Sequence, residues 1–215
     1  MEINSILPFF LGMITAGVGI LPPGLINLTA AKISLKYGKN RALMFVFGTL
    51  IVIFFQTLVA LIFAKYINDH QEVKLLLREI GFVVFSLLTI YFLWIAKKSG
   101  NNIRKDIKIK SKKSQFLLGM FISAINFFPV PYYVFMSITL ASLGYFSFSE
   151  SAIYIFTSGV VLGSFIVFYG YVAFFKNLDA KTTFISSNMN TIIGSITGLV
   201  AISSLVYIIR NLYKF

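Results

Sequence analysis

The sequence predicts an all-α integral membrane protein of six transmembrane helices, arranged as two inverted three-helix repeats with spans 1 and 4 broken at prolines. Three observations lead there. The 215 residues are 58% hydrophobic and only 12% charged, about half the charge of a typical soluble domain. The apolar residues fall in six runs that are each long enough to cross a bilayer, for which ~20 residues are needed. Two of those runs, the first and the fourth, carry prolines at their centres.

The first run, 6–31, holds Leu21-Pro22-Pro23-Gly24-Leu25. Two prolines and a glycine remove backbone donors and loosen a helix. At membrane depth such a break is tolerated only where the freed groups face protein or a watery cavity. The second run, 42–64, has Gln56 at its centre, a position where polar side chains join helices or line a pathway. The third run is 75–96 and ends beside Trp94, expected as an interfacial anchor. The fourth, 116–143, contains Asn126-Phe127-Phe128-Pro129-Val130-Pro131. The fifth and sixth are 152–175 and 192–209, with glycine pairs Gly159/Gly163 and Gly194/Gly198 that permit close helix approach, within the chain or in a homodimer. No run alternates as a barrel strand does.

The two halves echo each other. Leu11-Gly12-Met13 leads to Pro22 as Leu118-Gly119-Met120 leads to Pro129, both at an offset of 107, and Pro131 falls opposite Gly24. Gly48 matches Gly159 at an offset of 111, and Ile80-Gly81 matches Ile193-Gly194 at 113. Three spans per half force the second half to run upside down, the plan of many secondary transporters. The chain therefore reads as one transmembrane domain, with a first repeat over about 1–96, a linker at 97–113 and a second repeat over about 114–215.

The formal charge of +12 resembles a nucleic-acid signal, but its placement excludes one. Fourteen of the nineteen Lys and Arg residues lie in the loops after runs 1, 3 and 5. Eight of them are in 97–113, where contact with anionic lipid headgroups is expected. The basic side is predicted cytoplasmic, which puts both termini outside a cell (inner) membrane. A reporter inserted within 101–110 should report cytoplasm; an external signal would reverse the orientation. The amino terminus lacks a basic n-region and its first run is too long for a signal peptide, so it is expected to be retained.

With no cysteine and one histidine, His70, neither a metal site nor a cofactor is expected. All seven acids, Glu2, Asp69, Glu72, Glu79, Asp106, Glu150 and Asp179, lie at ends or in loops. An intramembrane hydrolase needs a buried acid, base, metal or nucleophile and finds none. The missing acids also argue against a strongly cationic or divalent-metal passenger.

The residues expected to hold a small polar passenger are Pro22, Pro23, Gly24, Asn27, Gln56, Asn126, Pro129 and Pro131. Broken helix ends expose amides that hold a carboxylate and carbonyls that hold an ammonium. Asn27 and Asn126 either bind the passenger or patch their own broken helices; Thr29 could assist Asn27. Lys32 is expected to snorkel to the headgroups, and Tyr169 and Tyr171 to pack in the core. The competing class is a membrane scaffold or assembly subunit whose breaks are packed dry.

Pro22-Pro23-Gly24-Leu25, followed by Gly38, Arg41-Ala42 and Gly48, resembles the lysine exporter (LysE/RhtB-like) family of amino-acid exporters. Asn126-Phe127-Phe128-Pro129 resembles that family's asparagine-and-proline signature in the fourth span. Leu25 stands where the family's first signature has a second proline. The resemblance implies export of amino acids or similar small polar metabolites, driven by the proton gradient.

Overall fold

The structure, a computed structural model, describes residues 3–22, 24–70, 82–83, 86–87, 89–95 and 111–174, with scattered helical positions between 191 and 209. All regular structure among them is helical. Six helices are labelled in order: α1 Ile3–Ile20, α2 Leu25–Tyr37, α3 Lys39–Asp69, α4 Lys112–Ile125, α5 Pro129–Ser142 and α6 Glu150–Phe174. A π-helical turn covers Tyr91–Ile95.

α3 and α6 are long and apolar enough to cross a membrane alone. At 1.5 Å per residue, the 31 residues of α3 reach roughly 46 Å. The other two candidate spans are the bent pairs. α1 and α2 bend by more than 40°, and α4 and α5 bend by 62°. The expected breaks thus fall where the prolines stand, while Pro8 sits inside α1 without ending it. Pro23 lies outside the described residues, as do most of the third run, the linker up to residue 110, both termini and much of the sixth run.

α1, α3 and α6 each show an apolar stripe to their surroundings at a spacing of three to four residues. α3 exposes Phe47, Ile51, Phe55, Val59 and Ile62; α1 exposes Phe10, Ile14 and Val18; α6 exposes Tyr154, Leu162, Ile166 and Tyr169. The interior combines large apolar side chains, among them Phe45, Leu61, Tyr133, Phe156 and Phe168, with small and hydroxylated ones: Ala16, Ala30, Ala42, Ala60, Ala64, Thr49, Thr57, Ser123 and Thr157. Small residues between helices let backbones approach closely in lipid.

Local signals set the helix ends. Ser111 caps α4 by accepting from the Ser114 amide at 3.2 Å. Gly38, with φ +88°, turns the chain from α2 into α3. α2 runs on to Tyr37, beyond the apolar run that ends at residue 31, because Lys32, Leu35 and Lys36 all lie on its exposed side. The described acids, Asp69 and Glu150, end α3 and begin α6.

Packing divides the chain into two compact units. The first contains α1, α2, most of α3 and α4 to α6. The second runs over 67–106 and 179–215; inside it, Gly194 lies against Leu93 and Gly198 against Thr89.

Two helix crossings dominate the first unit. At the α1–α6 crossing, a β-carbon on Gly12 would stand 2.1 Å from the Phe156 carbonyl oxygen, and one on Gly159 would stand 2.0 Å from that of Phe9. At the α3–α4 crossing, one on Gly48 would stand 2.0 Å from the Phe116 oxygen, and one on Gly119 would stand 2.0 Å from that of Phe45. Backbone touches backbone at both. Gly159 and Gly163 therefore serve packing within the chain, as Gly163 also meets the Met13 backbone.

Candidate functional site

The first break is closed by side chains. α1 ends at Ile20, and the carbonyls of Ile20, Leu21 and Pro22 have no following helical amide to accept from. Asn27, buried on α2, turns its Nδ2 back and donates to the Ile20 oxygen and, at 3.0 Å, to the Pro22 oxygen. Asn27 thus mends its own helix. Tyr171 of α6 donates to the Leu21 oxygen at 2.7 Å. It is a partner of the break and not the core-packing residue expected, and Tyr169 is exposed on the surface. Thr29 does not assist Asn27: its hydroxyl bonds the Leu25 oxygen one turn back, at 2.6 Å. Gly24 opens α2 in extended conformation, with no side chain capping the helix.

The second break is closed from another helix. Gln56 of α3 donates through Nε2 to the Ser123 oxygen at 3.2 Å and the Asn126 oxygen at 3.0 Å, covering the carbonyl end of α4. Its other amide atom, Oε1, is buried and has no hydrogen-bond partner among the described residues. The two carbonyls fix the amide's orientation, because the reverse would set oxygen against oxygen. Gln56 is both helix glue and an unused acceptor. Asn126 takes part through its backbone: its amide bonds Ile122 and Ser123 and its carbonyl accepts from Gln56. Its side chain forms no hydrogen bond among the described residues.

The amino-terminal ends of the two breaks differ. Pro129 and Pro131 bring no N–H to α5, and the amides of Val130 and Tyr132 already donate to Phe127 and Phe128, each at 3.3 Å. The same prolines that break the span thus leave this end fewer amide donors than a proline-free helix start would have. α2 keeps the N–H groups of Leu25, Ile26 and Asn27 and has no side-chain cap.

The breaks adjoin. Tyr132, three residues after Pro129, lays its ring on Gly19, three residues before Pro22; a β-carbon at Gly19 would fall 2.6 Å from the ring. The Tyr132 hydroxyl donates to the Thr15 oxygen at 2.8 Å, and its ring stacks on Phe128 at 6.0 Å. Nothing local in the sequence marked Tyr132. Its match in the other half, at offset 107, is Leu25, so the repeat gave no hint either.

An apolar-surfaced helical chain whose interrupted spans adjoin has the architecture of a multi-pass membrane translocator. A family model for LysE type translocators matches residues 18–207, and the chain belongs to that family. No curated protein and no solved structure matches it.

Proposed function

We propose that the chain is a secondary transporter that exports amino acids or similar small polar metabolites across the cytoplasmic membrane. The passenger is held between the two broken spans by Pro22, Pro23, Gly24, Asn27, Gln56, Asn126, Pro129 and Pro131, and alternating access opens that place to each side in turn. The observation that carries the reading is the contact of Tyr132 with Gly19, which joins one break to the other. The unpartnered Gln56 Oε1 supports an amine-bearing passenger, because a buried acceptor calls for a donor.

The proposal includes six spans, two inverted repeats and a cytoplasmic 97–113 linker in contact with lipid. The two glycine crossings support the repeats. Phe9 and Met13 relate to Phe116 and Met120 by 107, Phe156 and Val160 relate to Phe45 and Thr49 by 111, and these residues meet the glycines in matching fashion. A homodimer would form on the exposed apolar stripes, since the glycine pairs are occupied within the chain.

The test is an untargeted comparison of metabolites released by cells with and without the protein. Expressing cells should release one or more amino acids faster. Asn126→Ala should reduce that release without loss of folded protein, because its side chain forms no hydrogen bond among the described residues. Equal release across the panel would favour the scaffold reading, in which the filled breaks stay filled.

A further inference from the structure

We propose that the corner between α2 and α3 binds the phosphate of an anionic lipid, in a cavity against the end of α6. The cavity measures about 310 Å³, within the range of small-ligand sites. Its two sides are tied by Ser34 of α2, which donates its hydroxyl to the Val172 oxygen of α6 at 2.8 Å. Ala31 and Val172 form its buried lining, 2% and 4% exposed. Gly38 and Ala173 leave the space open, because neither carries a side chain long enough to fill it. Leu35 and Lys39 line it from the exposed side. An apolar and a cationic side chain together suit a molecule with a charged head and a hydrocarbon tail.

The charge at this corner calls for an anion. The Lys39 ammonium has no hydrogen-bond or ion-pair partner among the described residues. Lys36 and Arg41 add two more cations, 5.6 and 5.7 Å from the centre of the Tyr37 ring. The described acids are remote. Asp69 ends the helix that Lys39 begins, roughly 45 Å away, and Glu150 opens α6 roughly 33 Å before Val172, at 1.5 Å per residue. Both distances are several times the screening length of about 8–10 Å. The described charges that act on the cavity are therefore all positive. A membrane protein meets the matching anion at headgroup depth, where lipid phosphates attract surface lysines. A phosphate on Lys39 gains a charge-assisted hydrogen bond, and Leu35 offers apolar surface to the chain below it. α2 is the second half of the broken first span, so a lipid bound here braces that half against α6. The site uses no residue of 97–113 and does not depend on what the protein carries.

The experiment takes the full chain in a neutral detergent and reads Tm. It is titrated with phosphatidylglycerol, with phosphatidylcholine of the same chains, and with inorganic phosphate. Phosphatidylglycerol at about a hundredfold excess over its Kd should raise Tm by roughly 5–10 °C. The other two should leave it level. Lys39→Gln should need about tenfold more phosphatidylglycerol for the same shift, the worth of one hydrogen bond to a charged group. Ala173→Leu fills the cavity and keeps every charge, and should lose at least as much. Lys32→Gln, exposed on α2 and outside the cavity, should respond as wild type. The lipid-free Tm of each variant checks its fold, and Lys39 is exposed, so Lys39→Gln carries the test even if Ala173→Leu is unstable. An equal response to both lipids overturns the site, as does a wild-type response in Lys39→Gln or in a folded Ala173→Leu. An equal loss in Lys32→Gln overturns it by showing diffuse surface attraction. Inorganic phosphate matching phosphatidylglycerol overturns the lipid as occupant in favour of a free anion. Transport is not read here, so failure of the site leaves the exporter reading standing.

Discussion

Valine in place of Gly119 should cost the protein about 3 kcal/mol, near the upper range for overpacking a filled interior, and Gly48→Val, Gly12→Val and Gly159→Val should do likewise. A β-carbon 2.0 to 2.1 Å from a carbonyl oxygen cannot be accommodated by a side-chain shift, because the obstacle is backbone. The helices must separate, and at the α3–α4 crossing that also stretches the Thr49 to Gly119 and Ser123 to Thr49 hydrogen bonds. Thermal unfolding of purified protein in detergent reads the effect, with about 2–4 °C expected per kcal/mol for a chain of this size. Gly17→Ala and Gly170→Ala are the controls. Nothing lies within 4 Å of a β-carbon at either, and replacing a mid-helix glycine should stabilise by roughly 0.5–1 kcal/mol. Equal Tm shifts for crossing and control glycines would show that the crossings do not form.

The second large effect concerns the two amides that close the breaks. Asn27→Leu strands the Ile20 and Pro22 carbonyls, and Gln56→Leu strands those of Ser123 and Asn126. Each stranded group should cost about 1–3 kcal/mol. Asn27→Asp keeps the shape and removes the donor, so it separates the hydrogen bond from the volume; it should be at least as harmful as Asn27→Leu. Gln56→Leu should also raise KM for an amine-bearing passenger, because it deletes the unpartnered Oε1. Wild-type Tm in Asn27→Asp would dismiss the closing role.

Much of this was readable from residue order alone. Proline cannot donate and crowds the preceding turn, so Pro22 and Pro129 announced the breaks, although Pro8 is carried inside α1. Apolar runs of spanning length announced the membrane class. Less was readable where the cause is a distant neighbour. Tyr171 meets Leu21 across 150 residues and Gln56 meets Asn126 across 70, and no local pattern encodes such meetings. At the second amino-terminal end the scarcity of amide donors has a local cause: two prolines stand in its first turn. Gln56, expected as glue or as pathway lining, serves as glue through its nitrogen.

The crossings join first-half helices to second-half ones: α1 to α6 and α3 to α4. During synthesis Gly12 therefore emerges 147 residues before its counterpart Gly159. The nascent amino-terminal helix must wait in lipid with a bare glycine groove until the ribosome has delivered most of the chain. Two fragments cut within 97–113 and made separately would each lack both glycine crossings, yet co-expressed they should find each other and knit.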